Sequence, residues 1–253
     1  MNVLAFDTSS SLGSVAVGRL QREQGSSLRV LSRGFLTERS RHSSGLLPRV
    51  RDLLDEAGIE PRELGAIAVG SGPGSFTGVR VAAATSKGLV RALGIPLHPI
   101  SSLAAGAASV GIRIPAAVDL GPDFQLAGLP DEDLERPRYV LFDARDDRLY
   151  AACFRMAGGA METIVPPRAA RLGALLEGPI PPGTLFAGDG ALRHAQAIRD
   201  AGFPVLPLPA GLPTAEGLLR VLALDPAASR SENPGRWEPE YLREWSPSPM
   251  AGT

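Results

Sequence analysis

The chain reads as short apolar runs set between polar turns, with longer amphipathic stretches among them. Val3-Leu4-Ala5-Phe6, Ala66-Ile67-Ala68-Val69 and Val140-Leu141-Phe142 are unbroken apolar runs flanked by Asp, Gly or polar residues. Runs of this length predict strands buried on both faces. Further strands are predicted at 14–17, 28–36, 97–100, 149–155 and 184–187. Around Leu46, Leu47, Val50, Leu53, Leu54 and Ala57 the apolar residues recur at i, i+3, i+4 and i+7. That period predicts a helix over 43–57, with Ser43 or Ser44 as its cap and Gly58 as its stop. A second long helix is predicted over 77–93, its core stripe being Val79, Leu89, Val90 and Leu93. Shorter helices are predicted at 102–109, 169–176, 192–201 and 214–224. Regularity fails where Pro115, Gly121, Pro122, Gly128, Pro130 and Pro137 surround Asp131-Glu132-Asp133. Residues 111–137 are therefore predicted as a linker or insertion between a lobe at 1–110 and a smaller lobe with a tail at 138–253.

Between the strand at 66–69 and the helix at 77–93 stands Ser71-Gly72-Pro73-Gly74-Ser75-Phe76-Thr77-Gly78-Val79-Arg80. Gly72 and Gly74 open backbone angles closed to other residues, and Pro73 fixes φ between them. Ser75 or Thr77 can cap the helix that follows. A glycine-rich turn entering a helix invites a phosphate-binding reading, and the spacing rejects both common templates. No lysine follows a glycine as the phosphate loop requires, and the third position of G-x-G-x-x-G falls on Thr77 or Ser75. A tight turn with a capped helix accounts for the residues on physics alone. Behind it, Ala82, Ala83, Ala84, Ser86 and Gly88 form a small-residue surface that either lies close on its own sheet or receives another helix.

Two other turns carry candidate chemistry. Asp7-Thr8-Ser9-Ser10-Ser11 ends the first strand, where a carboxylate and hydroxyls can satisfy turn backbone. Asp143-Ala144 leads into Arg145-Asp146-Asp147-Arg148, whose carboxylates repel a phosphate.

Composition narrows the classes further. A net charge of −1 gives no global basic field for stand-alone nucleic-acid binding. Arginine dominates the cations, with Lys87 the single lysine. Cys153 is the single cysteine, which excludes an intrachain disulfide and a cysteine-rich zinc site. His42, His98 and His194 form no H-x-x-x-H pair, so a zinc-protease site has no basis. Ser75 has Pro73 rather than glycine two residues before it, so no G-x-S-x-G elbow is present there. His42 is read as a structural or interface residue. Without a basic leader or an apolar run near the roughly 18 residues of a membrane span, the expected location is cytoplasmic, with no membrane partner.

The stretch from Ser71 to Arg80 closely resembles the signature of the TsaB family (also called YeaZ), the accessory subunit of the bacterial threonylcarbamoyl-tRNA synthesis machinery. Asp7-Thr8-Ser9, Asp143-Ala144-Arg145 followed by Leu149-Tyr150, Gly188-Asp189-Gly190-Ala191 and Pro239-Glu240-Tyr241-Leu242-Arg243 resemble further family segments in the same order. The resemblance implies an α/β, actin-like/Hsp70-like (ASKHA) two-lobed fold, each lobe an RNase H-like mixed sheet with helices. In ATP-using members the first hairpin turn touches phosphates and later glycines lie beneath adenosine. Asp7, Thr8, Ser9, Asp143, Gly188, Asp189 and Gly190 are accordingly expected as vestigial nucleotide-site positions, and Gly72, Pro73, Gly74, Ser75, Phe76, Thr77, Gly78 and Arg80 as the signature turn.

What the family implies for function is a non-catalytic scaffold. It would bind TsaD, the ATP- and metal-binding paralogue that transfers the threonylcarbamoyl group to the adenosine beside the tRNA anticodon. The small ATPase TsaE would join the complex. No cofactor of its own is expected, and tRNA would be met only through the complex. In the family two helices pair with their counterparts in TsaD, or with a second copy when TsaD is absent. That implies an interface from Leu46, Leu47, Val50, Leu54, Ala83, Ala84 and Lys87, with some leucines shared with the core. Two other classes remain open: an ATP-dependent phosphotransferase on the same fold, which the charged turn at 144–148 disfavours, and a peptidase-like protein, since the wider family has carried a glycoprotease label.

Overall fold

The computed structural model describes residues 1–21, 27–36, 45–112, 114, 135–144, 146–225 and 229–242. His42, Ser43, Ser44, Arg145, Arg243 and most of the predicted insertion lie outside the described residues. Two mixed sheets organise the rest. The first has the order β3-β2-β1-β4-β5, from β1 (Asn2–Asp7), β2 (Gly13–Gln21), β3 (Ser27–Leu36), β4 (Leu64–Gly70) and β5 (Leu97–Ile100). The second has the order β8-β7-β6-β9, from β6 (Arg138–Asp143), β7 (Leu149–Ala157), β8 (Ala160–Ala170) and β9 (Leu185–Ala187). In each, an antiparallel meander of three strands is extended by a parallel strand beside the first. This is the RNase H-like, actin-like arrangement twice over.

Strand alternation sorts side chains into layers, because successive residues point to opposite faces. Leu4, Phe6, Val15, Val17, Ile67 and Val69 face outward from the first sheet toward α1 (Leu46–Ala57) and α2 (Phe76–Leu93). Val3, Ala5, Ala16, Ala66 and Ala68 face the other way, toward α7 (Ala215–Leu224). The small side chains on that face let the helix sit close. From the second sheet, Val140, Phe142, Ala152 and Phe154 meet Leu103, Ala104 and Ala107 of α3 (Ser102–Ala108). Tyr139, Leu141, Ala151 and Cys153 face Leu175 of α4 (Leu172–Leu176), Ala191 of α5 (Asp189–Arg193) and Ile198 of α6 (Ala195–Asp200). Helices α3 and α7 therefore form a central layer between the sheets. Gly217 makes their contact possible, since a Cβ there would run into the Ala105 carbonyl oxygen.

Polar groups lock this central layer. The Ser109 and Thr214 hydroxyls lie 2.8 Å apart, and Thr214 caps α7 by accepting from the Gly217 N–H. The Ala215 N–H donates to Ser14 Oγ on β2. Arg220 donates to the Ala108 and Val110 carbonyls at the C-terminal end of α3, where cations are favoured. The same guanidinium pairs with Glu216, which pairs in turn with Arg33 of β3.

Several expectations are corrected here. The helix expected at 43–57 is described from Leu46, with Gly45 at its cap position and Gly58 stopping it in the left-handed conformation. The helix expected at 169–176 is a strand through Ala170 and a helix only from Leu172. Strand β8 went unpredicted because Pro166-Pro167 interrupts its ladder, which is tolerated on the sheet edge it occupies. The single helix expected at 192–201 is two short helices meeting at His194. Residues 215–224 fall in the C-terminal segment by chain order, yet α7 packs on the first sheet. Among the described residues no helix is long and apolar enough to cross a membrane.

Candidate functional site

The signature turn and the β1–β2 turn form one hydrogen-bonded unit. Asp7 is fully buried at the end of β1. Its Oδ1 accepts from the Ser9 N–H at 2.7 Å and from the Ser9 hydroxyl at 2.6 Å. Its Oδ2 accepts from the Ser102 hydroxyl at 2.7 Å, and Ser102 Oγ accepts from the Gly72 N–H at 3.2 Å. Burial raises the Asp7 carboxyl above the ordinary 3.8, with the Ser9 and Ser102 hydrogen bonds acting in the opposite direction. Thr8 Oγ1 donates to the Gly78 carbonyl at 2.7 Å, and the Ser75 N–H donates to the Ser9 carbonyl at 2.6 Å. Ser75 is the cap of α2, its hydroxyl accepting from the Gly78 N–H. Gly78 is required by close approach, since a Cβ there would overlap the Thr8 carbonyl oxygen. The turn at Gly72-Pro73 is joined by a cis peptide.

The C-terminal tail closes over this unit. The Ser231 N–H donates to the Leu97 carbonyl on the edge strand β5, and Ser229 Oγ lies 3.3 Å from His98 Nδ1. Trp237 packs against the outer core of the first lobe. The Glu240 N–H donates to the Ser71 carbonyl at 2.8 Å. Tyr241 reaches Phe76 with ring centroids 5.7 Å apart, and Arg80 lies over the Phe76 ring at 3.7 Å while donating from Nε to the Tyr241 hydroxyl at 3.3 Å. The resemblance of the terminal segment pointed to its presence and not to its seat on the signature. Ser102, Glu240 and Tyr241 are thus site residues that the sequence reading left unassigned.

The second turn is built differently. The Asp143 carboxylate is paired with Arg193 at 2.5 Å on the surface. Asp189 Oδ1 accepts from the Gly190 N–H at 2.8 Å and from the Asp143 N–H at 3.4 Å, and burial raises its carboxyl above 3.8. The Gly188 N–H is taken by the Ala210 carbonyl at 3.1 Å. Asp146 and Asp147 hold left-handed backbone, with φ of 50° and 57°. Across the two turns runs an apolar cluster of Leu12, Ile114, Leu208 and Leu212, with Phe35 and Leu192 against it. Leu12 comes from the β1–β2 turn and Leu192 from α5, whose cap position is Gly188. Apolar side chains thus stand between the β1–β2 turn and the turn at Gly188-Asp189-Gly190.

The interface candidates divide by exposure. Leu46, Val50, Leu54 and Ala83 are buried in the chain's own core, with Leu46 only 1% exposed. Leu47 is 52% exposed, Ala84 is exposed and Lys87 is half-buried. An open groove on α1 is lined by Leu47, Pro48, Arg51, Asp52 and Asp55. Cys153 is fully buried and its thiol is pushed up to about 12 by burial, which makes it a poor nucleophile. Among the described residues no group of His, Cys, Asp and Glu is arranged to hold a metal ion.

Comparison with known proteins places this architecture. A family model described as TsaD, tRNA N6-adenosine threonylcarbamoyltransferase, matches residues 35–121. The tRNA threonylcarbamoyladenosine biosynthesis protein TsaB of Bacillus subtilis is 30% identical over 206 residues, covering 79% of this chain and 76% of the relative. The protein of the same name from Haemophilus influenzae is 37% identical over 105 residues, covering 42% of this chain and 41% of the relative. The solved structure of YeaZ from Pseudomonas aeruginosa superposes with a TM-score of 0.72 at 28% identity, covering 95% of this chain and all of that one.

Proposed function

The chain belongs to the TsaB (YeaZ) family, and from that premise we propose that it serves tRNA threonylcarbamoyladenosine biosynthesis as a non-catalytic scaffold subunit. Its partner is TsaD, the subunit that transfers the threonylcarbamoyl group, with TsaE joining the complex and tRNA met through it. ATP and metal belong to those partners, and the chain has no resident cofactor. Alone it forms a homodimer through the outer faces of α1 and α2, using Leu47, Ala84 and Lys87. The complex works in the cytoplasm.

One observation carries this reading. The carboxylate at the first strand end, where a nucleotide-using relative needs a free group, is enclosed by Ser9 and Ser102 at 2.6 to 2.7 Å. A buried carboxylate whose oxygens already accept three hydrogen bonds is poorly placed to hold a hydrated magnesium ion or to act as a base. The apolar cluster around Leu12 supports the same reading.

Isothermal titration of the purified chain with Mg-ATP tests it. The expected result is no saturable heat, together with restored tRNA modification when the chain is added to TsaD and TsaE supplied with a threonylcarbamoyl donor. ATP turnover by the chain alone that disappears in Asp7→Ala would falsify the scaffold reading.

A further inference from the structure

Phe76 and Tyr241 are large apolar side chains left open to solvent, at 36% and 44% exposure. Between them stands Arg80, held over one ring and hydrogen-bonded to the hydroxyl of the other. The guanidinium has five donors, and its contact with Tyr241 uses Nε alone. Among the described residues it has no carboxylate partner. A cation over an exposed ring is a modest attraction, which accounts for the stack but leaves its outer face unused. Aromatic rings flanking an oriented arginine have the composition of an interface anchor.

The neighbouring charges point to the chemistry of the occupant. Helix α2 contains no Asp or Glu, and Arg80, Lys87 and Arg91 recur at spacings that put them on one helix face. None of the three pairs with a carboxylate among the described residues. Glu238 and Glu240 shortly precede Tyr241 in the tail. A phosphate backbone would meet those charges repeatedly, whereas a single carboxylate can enter the arginine fork.

We propose that Phe76, Arg80 and Tyr241 form an anchor for a carboxylate side chain of a protein partner, and that Lys87 and Arg91 steer an acidic helix onto the same face. The tail is then part of the binding surface, and the stack holds the arginine ready so that little side-chain freedom is lost on docking. This rests on the scaffold reading, and the partner used to test it is the threonylcarbamoyl-transferring subunit.

The measurement is isothermal titration of that subunit with the full chain and with Arg80→Ala, Arg80→Lys, Tyr241→Ala and Ala84→Glu, at low and high salt. Thermal unfolding of each variant serves as the folding control. Arg80→Ala and Tyr241→Ala are expected to weaken association about tenfold or more. Arg80→Lys should bind nearly as weakly as Arg80→Ala, because an ammonium cannot present the planar fork. If Tyr241→Ala lowers the folded population, Arg80→Ala alone decides. Dissociation constants within twofold of the unaltered chain, beside an Ala84→Glu variant that no longer associates, overturn the anchor and leave the scaffold reading standing. An Arg80→Ala variant that keeps protein association but loses tRNA retention by the complex also overturns it, in favour of a phosphate contact. If the unaltered chain does not associate with the subunit at all, the scaffold reading falls and takes the anchor with it.

Discussion

The two lobes repeat one topology and treat the same position in opposite ways. In each, a three-strand meander is extended by a parallel strand, and an aspartate ends the first strand of the meander. Asp7 is fully buried and accepts three hydrogen bonds from Ser9 and Ser102. Asp143 is exposed and pairs with Arg193. What differs is the cover. The signature turn and the start of α3 lie over Asp7, and the tail lies over the signature in turn. The lesson is that strand order carries the position of a residue and not its electrostatic surroundings, which are set by whatever packs over the turn.

Substitutions can break this contrast, beginning with the largest effect. Gly78→Ala puts a Cβ against the Thr8 carbonyl oxygen, a backbone atom with little room to move. Chemical denaturation should show a loss on the order of 3 kcal/mol, with the β1–β2 turn forced off the signature. A loss under about 0.5 kcal/mol would mean that the two turns are not rigidly joined.

Asp7→Ala comes next. It strips the acceptor from three donors but also removes a buried carboxylate, so the two effects partly offset. We expect a net loss of about 2 kcal/mol. The pH dependence sharpens this. Because the folded-state pKa of Asp7 lies above its unfolded value near 3.8, the folded chain binds more protons in the window above 3.8. The contribution of Asp7 is therefore greatest below that value and declines as pH rises through the folded pKa. The stability of the unaltered chain minus that of Asp7→Asn should fall from pH 4 upward, as read by parallel denaturation curves. A difference that rises over that range would show that hydrogen bonding, and not burial, dominates the carboxyl.

Gly88→Ala is the counterpart of Gly78→Ala on the same helix. A Cβ at Gly88 meets nothing within 4 Å, so removing glycine from a helix interior should stabilise by up to about 1 kcal/mol. Asp143→Ala should move least. Its ion pair with Arg193 is solvent-exposed on both sides, and such pairs contribute between about 0 and 1 kcal/mol. A loss as large as that of Asp7→Ala would erase the difference between the lobes.

Much of the architecture was legible where the pattern is local. The apolar runs at β1, β4 and β6 and the period of α1 need only neighbouring residues to be read, and the structure keeps each of them. Ser75 could be named as a candidate cap because its hydroxyl acts within one turn of chain. The failures have equally local causes. Pro166-Pro167 hid β8, whose place at a sheet edge was not visible from the run itself. His194 divides a stretch whose apolar spacing looks continuous.

By itself the sequence determined the buried apolar strands, the long helices, the capped signature turn and the family, since each is written in residues close together along the chain. Tertiary structure alone decided that Leu46, Val50 and Leu54 face inward while Leu47 faces out. It also decided that α7 lies on the first sheet, more than a hundred residues from Ala5 and Ala66, and that Ser102 reaches Asp7 across 95 positions. These are contacts between segments whose separation carries no periodic signal. The upward shift of the Asp7 carboxyl belongs with them, because burial is a property of the assembled layers and of no single stretch of chain.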